Sequence, residues 1–111
     1  MDRDAVTIST HVLDTELGRP AAGVTVRLAR VLADGASTPA GEGMTDTDGR
    51  IARLLSGPLT AGVFRLTFEL RGYRQLFFRA VTVELQVDDA GRSYHVPLLV
   101  AAHGITSYRG S

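Results

Sequence analysis

An all-β sandwich of two sheets, built from seven or eight short strands and one short helix, is the fold class this sequence predicts. Three observations predict it. Apolar and polar residues alternate with a period of two through most of the chain, the pattern of half-buried strands. Clusters of Gly, Asp, Pro and Ser punctuate that alternation at roughly the 8–12-residue spacing of sandwich turns. Apolar residues make up 44% of the 111 residues, enough for a packed core, so a single domain spanning 1–111 is expected.

The elements follow in order. VTISTHVL (6–13) sets Val6, Ile8, Thr10 and Val12 on one face and Thr7, Ser9, His11 and Leu13 on the other. DTELGRPAAG (14–23) is turn-rich. GVTVRLAR (23–30) places Val24, Val26 and Leu28 inward, and ADGAS (33–37) turns the chain again. GEGMTDTDGRI (41–51) reads as a short strand, an Asp-Gly turn and the start of another strand. VFRLTFEL (63–70) alternates strictly, with Phe64, Leu66, Phe68 and Leu70 on one face. RGYRQLFF (71–78) breaks the rhythm and is the place for a short helix. RAVTVELQV (79–87) points Val81, Val83, Leu85 and Val87 inward, and DDAGR (88–92) turns. SYHVPLLV (93–100) and GITSYR (104–109) supply the last two strands, the former with a proline that suits an edge or an irregularity.

Composition excludes several function classes. Twelve basic residues balance twelve acidic ones, so the basic footprint of a nucleic-acid binder is absent. There is no cysteine, hence no disulfide, thiolate nucleophile or cysteine-held metal. All twelve basic residues are arginine, which removes Schiff-base chemistry and makes every side-chain cation a planar fork. No apolar stretch is long enough for a membrane-spanning helix, and MDRDAVTIST has no apolar signal region, so no membrane partner and a cytoplasmic location are expected.

No P-loop, GxSxG or HExxH motif occurs. The polar residues that stand out are His11 in mid-strand beside Ser9 and Thr7, His95 in mid-strand beside Pro97 and Leu99, and Arg50 after the Asp48–Gly49 turn. Taken singly, His11 reads as a solvated strand residue, His95 as a hydrogen-bonded histidine on a sheet edge, Arg50 as a solvated turn residue and His103 as a loop residue. Asp46 and Asp48 are accounted for by turn chemistry. The chain closes on SYRGS, an aromatic ring, a fixed cation, a flexible glycine and a hydroxyl at a position where chemistry is seldom concentrated.

Together these pieces carry a resemblance. STHVLDTELGRPAAGVTVRL (9–28), TDTDGR (45–50), GVFRLTFEL (62–70), SYHVPLL (93–99) and the terminal SYRGS resemble, in order and spacing, the blocks of the transthyretin-like 5-hydroxyisourate hydrolases. The middle blocks alone also resemble the transthyretin-like modules attached to carboxypeptidases and outer-membrane receptors, which bind or brace. STHVLD, YHVPLL and YRGS point to the enzyme branch. RGYRQLFFRAV (71–81), with Ala80 where the family often has proline, and His103, where it often has an aromatic residue, depart from the pattern.

The resemblance implies a transthyretin-like (prealbumin-like) sandwich that opens the ring of 5-hydroxyisourate, a purine-derived small molecule, in the degradation of urate towards allantoin. It implies catalytic residues His11, Arg50, His95 and Ser111, with Arg50, Tyr108, Arg109 and Gly110 against the substrate. It also implies a homotetramer, a dimer of dimers with active sites between subunits, and neither cofactor nor metal. The residue types suit hydrolysis: histidine exchanges protons near neutral pH, and an arginine fork steadies an oxyanion. Which histidine is the base stays open at this level.

Overall fold

The protein is described here by a computed structural model covering residues 6–110. Nine strands form among them: β1 (Ile8–Asp14), β2 (Arg19–Pro20), β3 (Thr25–Val31), β4 (Ser37–Met44), β5 (Arg50–Ile51), β6 (Gly62–Glu69), β7 (Ala80–Val87), β8 (Tyr94–Val100) and β9 (Ile105–Ser107). One sheet runs β4-β3-β6-β7, antiparallel throughout. The other runs β2-β1-β8-β9, and β5 also pairs with β1. Its central pair, β1 with β8, is parallel and in register from Ile8↔Tyr94 to Asp14↔Val100.

The period-two pattern explains the layering. Ile8 and Val12 of β1, Val96, Leu98 and Val100 of β8, Val26 and Leu28 of β3, and Phe64, Leu66 and Phe68 of β6 all bury their side chains between the sheets. Each such burial is worth about 1.5–3 kcal/mol. Thr10 shares that inward face and is reconciled with it by donating its hydroxyl to the Val96 carbonyl at 2.6 Å. The odd-numbered residues of β1 and β8 are therefore left on the outer face of the second sheet.

Two elements differ from the sequence expectation. β4 starts at Ser37, within the segment expected to turn, and carries a bulge opposite Leu28 and Ala29. Its Pro39, glycines and largely exposed positions hide it, because an edge strand needs little apolar alternation. The short helix expected within 71–78 does not form; no residue among those described is helical. The Tyr73 N–H closes a turn on the Leu70 carbonyl, while the Phe77 N–H donates across to Ala102 in the β8–β9 connection. Side chains pull the segment out as well. Tyr73 Oη and Arg74 Nε donate to the Asp14 carboxylate at 2.7 and 2.8 Å. A helix would have had to give up those tertiary bonds for local ones. No helix in the described residues is long and apolar enough to cross a membrane.

Asp14 is the anchor of that segment. Its side chain is fully buried at the end of β1, yet it accepts from the Glu16 and Leu17 N–H groups as well as from Tyr73 and Arg74. Burial alone would raise its pKa. The Arg74 hydrogen bond, then the Leu17 N–H and the Tyr73 hydroxyl, outweigh burial and hold the carboxyl far below the ordinary range. Glu16 takes the remaining edge of Arg74 at 2.7 Å.

Candidate active site

Strand register assembles the site. On the outer face of the β1/β8 sheet, Ser9 lies opposite His95, and His11 lies opposite Pro97 on one side and Arg50 on the other. Partners across a ladder point to the same face, so His11, Arg50 and His95 share one surface although 84 residues of sequence separate the two histidines.

Each is held locally. Arg50 follows a tight turn in which Gly49 has φ 77°, a conformation that suits glycine. Asp46 ties this turn together, its Oδ1 accepting from the Asp48 and Arg50 N–H groups at 2.9 Å each. The Arg50 N–H bond first, then that from Asp48, keeps the Asp46 carboxyl ionised to lower pH than usual, with the Arg50 and His11 charges adding to the effect. The turn also exposes the Asp48 carbonyl to His11, whose Nε2 lies 2.8 Å away. A carbonyl only accepts, so His11 carries a proton on Nε2, and Nδ1 holds the lone pair of its neutral form.

His95 is half-buried, and its Nδ1 is 2.9 Å from Ser9 Oγ. Burial, then the nearby His11 and Arg50, lower its pKa below the ordinary histidine value, so the neutral ring dominates at neutral pH. The chain end packs beside it. Gly110 pairs with His95 in an isolated antiparallel bridge and donates its N–H to the His95 carbonyl at 2.8 Å. A Cβ on Gly110 would sit 2.6 Å from His95 Cδ2, so only glycine lets the tail approach the ring this closely. Arg109 lays its guanidinium over the Tyr94 ring at 4.8 Å, a cation–π contact. Tyr108 is 54% exposed. An open cleft of about 290 Å³ lies between β7 and the tail, with Glu84, Gln86, His95, Tyr108 and Arg109 among its walls.

Of the residues implied by the sequence, His11, Arg50, His95 and Gly110 thus come together, and Tyr108 and Arg109 line the adjoining cleft. Ser111 lies outside the described residues. His103 is an exposed residue of the β8–β9 connection whose ring sits 6.3 Å from that of Phe77, away from this group. Sequence reasoning missed two participants. Ser9 was visible only as a face-mate of His11. The Asp48 carbonyl carries no side-chain signal at all.

A two-sheet sandwich with a parallel pair at the centre of one sheet, carrying a His–Arg–His group on that sheet's outer face, is a transthyretin-type domain. Similarity agrees: the chain belongs to the HIUase/Transthyretin family, whose model matches residues 8–110. A 5-hydroxyisourate hydrolase of Deinococcus radiodurans is 42% identical, the match covering 94% of this chain and 95% of that protein. The solved 5-hydroxyisourate hydrolase of Klebsiella pneumoniae is 36% identical with a TM-score of 0.79, covering 95% of this chain and 99% of that one. Sea bream transthyretin, solved in complex with thyroxine, superposes with a TM-score of 0.85 at 26% identity, covering 93% of each chain.

Proposed function

We propose that the outer face of the β1/β8 sheet is the active site of a hydrolase that opens a cyclic amide bond. The reaction is the hydrolysis of 5-hydroxyisourate, a step in urate degradation, as in the relatives that match this chain over nearly its full length. The observation that carries the residue assignment is the register that sets His11, Arg50 and His95 on one surface beside the tail.

The chemistry follows from the protonation states. His95, kept neutral, takes a proton from water as its oxygen attacks the ring carbonyl. Negative charge develops on the carbonyl oxygen, where the Arg50 fork stabilises it. The C–N bond breaks, and a proton is delivered to the leaving nitrogen by a histidine. His11 orients from its fixed Nε2–H bond to Asp48, and Arg50 also grips the substrate's carbonyl groups. Tyr108, Arg109 and Gly110 bound the substrate side of His95, and Ser111, which lies outside the described residues, is proposed as a catalytic residue on the resemblance alone. The surface is a sheet face rather than a closed pocket, which supports a homotetramer, a dimer of dimers, whose second subunit closes over it; the location that goes with this reading is cytoplasmic.

The test is hydrolysis of 5-hydroxyisourate generated in place by urate oxidase and followed by its ultraviolet decay. Decay well above the spontaneous rate, lost in both His11→Ala and His95→Ala, is expected. Decay at the spontaneous rate from folded protein refutes the assignment. A non-catalytic carrier is the reading that result would favour, since sea bream transthyretin shares this fold in complex with thyroxine.

A further inference from the structure

Among the described residues, the His95 ring has one hydrogen-bond partner, the hydroxyl of Ser9. We propose that Ser9 is a positioning residue, whose Oγ accepts the Nδ1–H of His95 and so presents Nε2, with its lone pair, to the reacting water. The proposal rests on the hydrolase reading above in one respect, the use of His95 as base. If Ser9 instead donated to Nδ1, the ring proton would sit on Nε2, and that nitrogen could not take another from water.

Three features of the structure support the assignment. Ser9 and His95 are Cα partners in the parallel β1–β8 pair, so two backbones at the centre of the sheet set their separation, and no loop is involved. The Cδ2 side of the imidazole is covered by Gly110, against which even a methyl group would not fit. Turning the ring over would put a carbon against Ser9, and would put Nδ1 against a residue whose N–H already serves the His95 carbonyl. The ring therefore has one orientation that keeps its bond, with Nε2 and Cε1 on the open side.

The third feature is the choice of a hydroxyl. A carboxylate at Nδ1 would favour the imidazolium and raise the histidine's pKa. A hydroxyl adds no charge, so it orients the ring and leaves it neutral. The hydroxyl also accepts from Nδ1–H whether or not Nε2 carries a proton, so the bond survives the proton transfer. His11 is locked in the opposite sense, its Nε2–H on the Asp48 carbonyl. The two histidines thus expose different nitrogens on one face, the arrangement a proton relay across a breaking C–N bond calls for.

The test combines two measurements at about pH 8, where His95, its pKa lowered by burial, is neutral. Nitrogen-15 shifts of histidine-labelled, substrate-free protein report the tautomer, with His95 assigned by its disappearance in His95→Gln. The expected result is a protonated Nδ1 and a bare Nε2. Ser9→Ala should mix the tautomers and lower kcat about tenfold with KM nearly unchanged, the loss of one orienting hydrogen bond. Ser9→Thr, which keeps the hydroxyl, should restore both readouts. A parent protein protonated at Nε2, or a Ser9→Ala variant with unchanged nitrogen shifts and kcat, overturns the proposal. A fixed Nδ1–H tautomer that Ser9→Ala abolishes, in a protein that does not speed 5-hydroxyisourate decay, upholds the lock and overturns the hydrolase reading instead.

Discussion

Replacing Gly110 by alanine is the smallest change that should disable the site without disturbing the fold. The added Cβ lies 2.6 Å from His95 Cδ2 and 3.3 Å from Cγ, about 0.8 Å inside the 3.4 Å at which ordinary contact begins. His95 Nδ1 is meanwhile held 2.9 Å from Ser9. Either the ring moves by most of that 0.8 Å or the tail backs away and gives up its 2.8 Å bond to the His95 carbonyl. Under the proposed mechanism both misplace His95 relative to the water it would deprotonate. A displacement near 1 Å costs about 10²-fold in rate, equivalent to roughly 2.7 kcal/mol of barrier. Global stability should hardly change, because Gly110 sits at a single bridge outside the core. The assay is kcat/KM for 5-hydroxyisourate made by urate oxidase, with thermal unfolding of the same samples. A Gly110→Ala protein that unfolds like its parent and keeps its full kcat/KM refutes the claim that the tail works by fitting against the histidine.

Two further outcomes follow from the charges. Asp14→Asn strips the charge from a buried carboxylate that five donors share and leaves Arg74 without its main partner. The expected loss is about 3 kcal/mol, the low end for breaking a buried pair because the Arg74 side chain stays 28% exposed. Denaturant titration checks this, and unchanged stability contradicts the anchoring role. The folded Asp14 pKa lies below the unfolded value of about 3.9, so its contribution is present above that pH and is lost as pH falls towards the folded value; acid titration of the variant should lack this component. In the proposed mechanism the active form of His95 is neutral, so the rate should rise with pH through its pKa to a plateau. Burial first, then His11 and Arg50, put that midpoint below the ordinary value of about 6.5. NMR titration of His95 in Arg50→Met should move the midpoint upwards, and a midpoint that stays put removes Arg50 from its surroundings.

The strands with a strict period of two could be read from the sequence. Phe64, Leu66, Phe68 and Leu70 announced β6, and Tyr94, Val96, Leu98 and Val100 announced β8, because a buried face demands apolar residues at every second position. β4 was legible only in its second half, since Ser37, Thr38 and Pro39 lie exposed at a sheet edge and are under no such demand. RGYRQLFF read as a place for a short helix because the carboxylate that holds it open, Asp14, lies 60 residues from Arg74 in the chain. Individually, His11, Arg50 and His95 looked like surface residues, and indeed each is at least partly exposed. What singled them out was the company of STHVLD, YHVPLL and YRGS. The partners that fix their protonation were not legible. The Ser9 contact depends on a parallel register, and the Asp48 contact uses a backbone oxygen.

The parallel pairing of β1 with β8 has a kinetic consequence. Thr10 and Val96 are bonded across 86 residues of sequence, and every rung of that central ladder closes a loop of similar length. Loop closure must be paid for before such contacts return any energy, which places chains of this topology among slow folders, on a scale of milliseconds to seconds. The β4-β3-β6-β7 sheet, built from nearer neighbours, can form while β1 still waits for its partner. In the interval Ile8 and Val12 lie on an unpaired strand edge, an invitation to association with other unfinished chains. The ladder that delays folding is also the one that unites Ser9 with His95, so catalytic competence should appear late in refolding, together with the last phase of core burial.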